Sequence, residues 1–269
     1  LAEEDPTFQV TTDENSGQTI IAGMGELHLD IIIDRLRREF GVEINVGSPQ
    51  VTYKESFTQT VTHREVYKKQ TGGKGKFADI EFEIGPADEG VVGLQFINDV
   101  KGGNIPREYI LAAEKGFKSA LSNGVLAGFP MDSMKVRLYD GSTHPVDSDS
   151  LSFEVAAQLG FKAAGAKAKA VVMEPIMKVE VRVPAEYLGD VTGDLNRRRA
   201  MLREVEANSV VQIVKADAPL SEMFGYITTL RTLTQGRANF SMEFSHYARM
   251  TDDMADVVIK KAKGTYFFF

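Results

Sequence analysis

One order of periodicities, strand-strand-helix-strand, occurs twice in this chain and limits its fold more than any other feature. Its second and longer occurrence lies at about residues 171–250, where a strand and a helix come before it. There Met177, Val179, Val181 and Val183 alternate with Lys178, Glu180 and Arg182, the period of a half-buried strand. A short helix is expected over residues 184–195, then strands over 200–206 and 210–216. A helix starting at Pro219 carries Leu220, Met223, Phe224, Ile227 and Leu230 and stops near Gly236. A last strand sets Phe240, Met242 and Phe244 on one face. The complete order, β-α-β-β-α-β, is that of a ferredoxin-like sandwich.

The first occurrence, residues 1–54, is shorter. Phe8 and Val10 alternate, Asp13 to Gly17 make a turn, and Thr19 to Ala22 return as the second strand of a hairpin. Leu29, Ile33, Leu36 and Phe40 form one stripe at helical period, and Gly41 stops that helix at the position just past its end. Val42, Ile44 and Val46 then alternate as a strand. The opening strand and helix of the longer unit have no counterpart here. Residues 1–6 are therefore expected to be the stump of a missing helix, in a chain cut from a longer one. A sheet short of one strand is expected to be loose.

Residues 55–170, between the two, follow another plan. A glycine-rich stretch, Thr71-Gly72-Gly73-Lys74-Gly75-Lys76, precedes the alternating Ile80, Phe82 and Ile84. By pattern alone it is a hairpin turn. Pro106 opens a helix whose buried stripe is Ile110, Ala113, Phe117 and Leu121, with Gly124 expected as its cap. Met134, Val136 and Leu138 form a strand. A loop from Asp140 to Pro145 leads to an alanine-rich helix, with Asp147, Ser148, Asp149 and Ser150 placed to cap its free N–H groups. Residues 251–269 read as a last helix with an aromatic end, Tyr266 to Phe269. The fold class is α+β: two ferredoxin-like sandwiches, the first truncated, flanking an α/β domain.

Composition narrows the chemistry. The 269 residues contain no cysteine, so disulfides and thiolate metal sites are excluded, and a reducing cytoplasm is the simplest setting. The four histidines are scattered without ligand spacing, and no phosphate-binding Gly-x-x-x-x-Gly-Lys-Ser/Thr occurs. Only Gly102-Gly103 precedes the helix at Pro106, which argues against a small-molecule kinase. No apolar run approaches the roughly 18–20 residues that span a bilayer. A net charge of −7 speaks against wholesale coating of nucleic acid. Basic residues are nevertheless clustered: five between Arg64 and Lys76, three between Val155 and Met173, and Arg197, Arg198, Arg199 and Arg203 together. Taken singly, such runs are solvated faces; on an acidic body they also suit a protein that touches RNA at points.

Three stretches carry a resemblance. Ile20 to Asp30, reading Ile-Ile-Ala-Gly-Met-Gly-Glu-Leu-His-Leu-Asp, is similar to the third domain of the elongation factor G and elongation factor 2 family. Tyr139-Asp140-Gly141-Ser142-Thr143-His144 with Val146-Asp147-Ser148 resembles the tip loop of the fourth domain. Glu174 to Met177, Gly189 to Arg199, Pro219 to Tyr226 and Thr234 to Arg237 resemble the fifth. The resemblance implies domains at 1–54, 55–170 and 171–250 with a tail at 251–269, the middle one elongated and with a left-handed βαβ crossover, against the usual hand.

It implies a monomeric, cytoplasmic part of a factor that moves tRNA and mRNA through the ribosome. GTP and Mg would be bound by domains outside this chain, leaving no cofactor, no catalytic residue and no membrane contact here. The arm would reach the small-subunit decoding site, and the last domain the large-subunit stalk base. Carried over by motif, Gly72, Gly73, Lys74, Gly75, Lys76, Phe77, Ser142, Thr143, His144 and Asp147 form the RNA-binding tip. The lysines would contact phosphate and His144 a ribose or base edge. Arg197, Arg198 and Arg199 would touch ribosomal RNA. Ala78 stands where the family has glycine, and Thr143 and Pro145 stand where it has Tyr and Asp. These departures leave open a divergent paralogue; a ribosome-protection protein of the same architecture is the alternative, from which the tip loop Gly141–Ser148 differs by staying closer to elongation factor G.

Overall fold

The structure is a computed structural model; it describes residues 9–12, 19–22, 26–42, 51–70, 73, 75–207 and 211–264. Along the chain run β1 (Gln9–Thr12), β2 (Thr19–Ala22), α1 (Glu26–Phe40), β3 (Lys54–Phe57), β4 (Val61–Lys69), β5 (Lys76–Gly85), β6 (Gly93–Asn98) and α2 (Arg107–Ala120). There follow β7 (Ser133–Ser142), α3 (Ser150–Gly165), β8 (Ala170–Pro184), a 3-10 turn (Ala185–Tyr187), α4 (Leu188–Arg197), β9 (Met201–Ala207) and β10 (Val211–Pro219). The last elements are α5 (Leu220–Met223), α6 (Tyr226–Thr234), β11 (Asn239–Arg249) and α7 (Asp252–Ala262). This is the α+β class that the periodicities predict. The chain divides into two compact units, Leu1–Val51 with Met177–Phe244, and Thr52–Ile176 with Ser245–Phe269.

In the first unit β1 and β2 pair antiparallel as the predicted hairpin, Gln9 opposite Ala22. Helix α1 buries Ile32 and Ile33, whereas Phe40 is 59% exposed. Of the stripe read from spacing, Ile33 is buried and Leu29 and Leu36 are half-buried, Ile32 is buried beside them, and Phe40 lies off the stripe. The strand expected at Val42, Ile44 and Val46 falls mostly outside the described residues, as do residues 1–6, Phe8 and the aromatic end Tyr266–Phe269.

The longer sheet of this unit has strand order β11-β8-β10-β9, the 4-1-3-2 order of the ferredoxin-like sandwich. Val179, Val181 and Val183 of β8 and Val214, Ala216 and Ala218 of β10 meet Val191, Leu195, Met223, Tyr226 and Leu230 from the helices in one core. One predicted element is divided. The helix expected from Pro219 breaks at Phe224, whose backbone is extended, and at Gly225, whose φ of 71° lies in the left-handed region. The break frees the carbonyls of Glu222 and Phe224. Arg198 fills the gap: its Nη1 donates to both, at 2.5 and 3.4 Å.

In the second unit the four-stranded sheet runs β4-β5-β7-β6. β4 pairs β5 and β5 pairs β7 antiparallel, while β6 and β7 are parallel and joined through α2. Phe82, Ile80, Ile84, Met134, Val136 and Leu138 point to the helices, where Phe117 of α2 and Phe153 and Phe161 of α3 complete the core. Strand β3 pairs the first residues of β8, Lys54 opposite Met173. The sequence offers no alternation to mark it.

Gly124 does not cap α2. That helix ends at Leu121, and Gly124 instead lies against the buried carboxylate of Glu55, which a Cβ would meet at 2.4 Å. Glu55 accepts from the backbone N–H groups of Leu126, Ala127 and Phe129 at 2.8, 2.8 and 3.1 Å, so the loop closes around a negative charge.

Candidate nucleic-acid interface

Two loops meet at one end of the four-stranded sheet. One joins β4 to β5; the other joins β7 to α3. They are neighbours because β5 and β7 are adjacent and antiparallel, with Asp79 opposite Ser142. A polar cluster under them fixes where they start. Asp79, nearly buried, takes both arms of Arg64 at 2.9 and 2.9 Å and the hydroxyl of Ser142 at 2.7 Å. Burial pushes the Asp79 carboxyl up, but the bonds from Arg64 and Ser142 outweigh it and hold it below the usual range.

The loops are tied by Asp147 and Ser148. The carbonyl of Asp147 accepts from Phe77 N–H at 2.9 Å, and its carboxylate accepts from Gly75 N–H at 2.9 Å. A Cβ on Gly75 would meet that carboxylate at 3.0 Å, so the approach favours glycine. The Ser148 hydroxyl donates to the Phe77 carbonyl and accepts from His144 N–H, each at 2.9 Å. Next in sequence, Asp149 caps α3 by accepting from Ser152 N–H at 2.8 Å. Lys76 forms an ion pair with Asp149. Burial works to raise the Asp149 carboxyl, but the bonds from Lys76 and Ser152 bring it to about 2.

Of the residues expected at the tip, the structure gathers Gly75, Lys76, Phe77, His144 and Asp147, with Ser142 at the base and Thr143 and Gly73 in the loops. Gly72 and Lys74 lie outside the described residues. Lys76, expected to contact phosphate, is spent on the helix cap. The cations left for a ligand are ones that sequence reasoning counted but did not single out. Lys68 and Lys69, opposite Phe77 and Lys76 at the end of β4, are exposed, and among the described residues no carboxylate pairs with them. The signal available was only their place in the run from Arg64 to Lys76. His144 is half-exposed, its ring centroid 6.2 Å from that of Phe77.

The arginine cluster splits the same way. Arg198 is turned inward: besides the two carbonyls it bonds Asp194 at 2.8 Å and Thr229 at 3.0 Å, and it lies 5.1 Å from the Tyr226 ring centroid. It is a strut rather than the RNA contact expected of it. Arg199 approaches Glu222 at 3.5 Å, and Arg197 keeps its side chain mostly exposed. Among the described residues no three histidines or carboxylates come together to hold a metal ion, and no helix is long and apolar enough to cross a membrane.

The chain combines a ferredoxin-like sandwich with a helix-backed sheet ending in two interlocked loops, and similarity to known proteins gives the class, the translation elongation factors. Three family models match along the chain in order: elongation factor G domain III over residues 1–48, elongation factor G domain IV over 49–169, and the elongation factor G C-terminus over 171–258. The chain belongs to the elongation factor G family. It is 60% identical over 265 residues to an elongation factor G of Amoebophilus asiaticus and 59% identical over 265 residues to one of Cytophaga hutchinsonii, matching 98% of its own length in each case. It spans 37% and 38% of the length of those curated relatives. A crystal structure of a protein from Thermus thermophilus superposes with a TM-score of 0.84 at 38% identity, covering 98% of this chain and 39% of that one.

Proposed function

We propose that this chain is the RNA-engaging part of a translocation factor, and that its interlocked loops contact tRNA and mRNA at the small-subunit decoding site. The observation that carries the reading is the bonding of Gly75 and Phe77 to Asp147 and Ser148, which joins the two loops. They form one braced tip with a half-exposed imidazole and the exposed cations Lys68 and Lys69. Lysines so placed neutralise phosphate and set position without reading sequence. Gly73 and Thr143 lie in the same two loops, and Lys74, outside the described residues, is proposed by its motif as a further phosphate contact. Arg197 is the candidate for ribosomal RNA contact in the ferredoxin-like domain, near the large-subunit stalk base.

The chemistry that drives movement, hydrolysis of GTP with Mg, belongs to other domains of the longer factor, which acts in the cytoplasm as a monomer. Domains at 1–54, 55–170 and 171–250 with a tail at 251–269 suit this division of labour. The family matches change over near residues 49 and 170, which supports it, although the tail from Ser245 clusters with the arm.

The test is single-turnover translocation measured beside GTP hydrolysis in the complete factor. Lys68→Ala/Lys69→Ala should slow translocation and flatten the salt dependence of binding by about one counterion per lysine. GTP hydrolysis should be nearly unchanged, because the tip contributes nothing to that chemistry. Translocation at the wild-type rate and salt slope would remove the assignment of the tip.

A further inference from the structure

His144 is held at more points than a loop imidazole needs for exposure alone. Its backbone N–H bonds Ser148 Oγ, and its carbonyl accepts from Ser148 N–H at 3.2 Å. Its ring Nδ1 accepts from the backbone N–H groups of Asp147 at 3.2 Å and Val146 at 3.4 Å. A nitrogen that accepts carries a lone pair and no proton, so a neutral ring held this way has its proton on Nε2.

The competing arrangement puts a proton on Nδ1 facing Asp147 Oδ2 at 3.4 Å. Two amide hydrogens already converge on Nδ1 and would collide with that proton. Asp147 meanwhile ties the two loops: Oδ1 takes the Gly75 N–H, and its carbonyl takes the Phe77 N–H. The same residue thus joins the two loops and directs its own N–H at His144. Among the described residues nothing bonds Nε2.

We propose that Asp147 is a positioning residue that fixes the His144 ring with Nδ1 accepting and the proton on Nε2, so that the tip presents RNA with one outward hydrogen-bond donor beside Lys68 and Lys69. The partner of that donor is an acceptor oxygen of the RNA backbone, ribose or phosphate. This rests on the reading of the tip as an RNA contact.

The first measurement does not depend on that reading. Long-range proton–nitrogen correlation on the 269-residue chain near neutral pH should show Nε2 protonated and Nδ1 bare. Asp147→Ala, which frees the loop, should blend the two tautomers. A wild-type ring protonated on Nδ1 would overturn the proposal and leave the tip reading intact.

The second uses amide replacements in the complete factor. His144→Gln places an N–H near the Nε2 position, whereas His144→Asn keeps an acceptor near Nδ1 and loses the outward donor. Translocation should fall about tenfold or more in Asn and stay within about threefold of wild type in Gln, the difference one hydrogen bond makes. Rescue by Asn and not Gln would reject the tautomer. Wild-type rates in Gln, Asn and Ala alike would reject the tip contact itself. Messenger RNA carrying 2′-deoxy nucleotides at the moving codon separates the two acceptors: the Gln–Asn contrast disappears for a ribose oxygen and persists for a phosphate.

Discussion

Lys76 and Lys68 show what a run of basic residues does and does not reveal. Both stand in the stretch from Arg64 to Lys76, and the sequence alone gives no reason to treat them differently. The difference is made by Asp149, which is 73 positions from Lys76 in sequence and beside it in space. No local pattern contains that pairing, because it exists only once β5, β7 and α3 have packed. The pair predicts an acid response. The Asp149 carboxyl is held at about 2, below its unfolded value. Its contribution to stability is therefore present above about pH 4 and is lost as pH falls toward about 2. Asp149→Ala should cost about 1–2 kcal/mol at neutral pH as a lost helix cap. It should also flatten the fall in stability between those two pH values. Asp149→Asn keeps the cap geometry and should cost less, since a partly exposed ion pair adds under about 1 kcal/mol. Urea unfolding of the three proteins at neutral pH and near pH 2.5 checks this; equal acid sensitivity in all three would mean that the pair does not form.

At the level of elements, legibility followed period and failed at interruptions. The alternation of Met177, Val179, Val181 and Val183 and the stripe of Ile110, Ala113 and Phe117 could be read because one face of each is buried over several repeats. The break at Phe224 and Gly225 could not, since the apolar spacing runs through it unchanged. What makes the break tolerable is Arg198, whose guanidinium supplies the donors that continuation of the helix would have supplied. Asp194, itself nearly buried, holds that guanidinium from α4. Arg198→Ala should therefore destabilise this unit by about 3–5 kcal/mol, the cost of leaving a buried charge and freed carbonyls without a partner. Arg198→Lys should recover little, because a single ammonium cannot reach a carboxylate, a carbonyl and a hydroxyl in one plane. Chemical denaturation compares the three. Full stability in the lysine variant would show that charge alone suffices and that the fork geometry is irrelevant.

For the whole molecule, the order of parts was readable and their boundaries less so. The repeated β-β-α-β order marks two sandwiches around a different middle, but nothing in the alternation of β8 says that a unit boundary falls inside it, between Ile176 and Met177. The two core clusters share no residue: one is built on Phe82, Phe117, Phe153 and Phe161, the other on Val181, Leu195, Tyr226 and Leu230. Cores with no residue in common should respond separately to a cavity, since distant sites couple by less than about 0.5 kcal/mol. Phe82→Ala removes a ring enclosed on every side, 4.9 Å from that of Phe117, and should cost about 3–5 kcal/mol. Native-state hydrogen exchange locates where that loss is felt. Amides of β5 and β7 should lose protection by the full amount, while those of β10 and α6 should keep theirs. Leu195→Ala should give the opposite pattern, at about 2–5 kcal/mol. An equal loss in both sets from either substitution would mean that β8 carries the disturbance across and that the chain unfolds as one cooperative body.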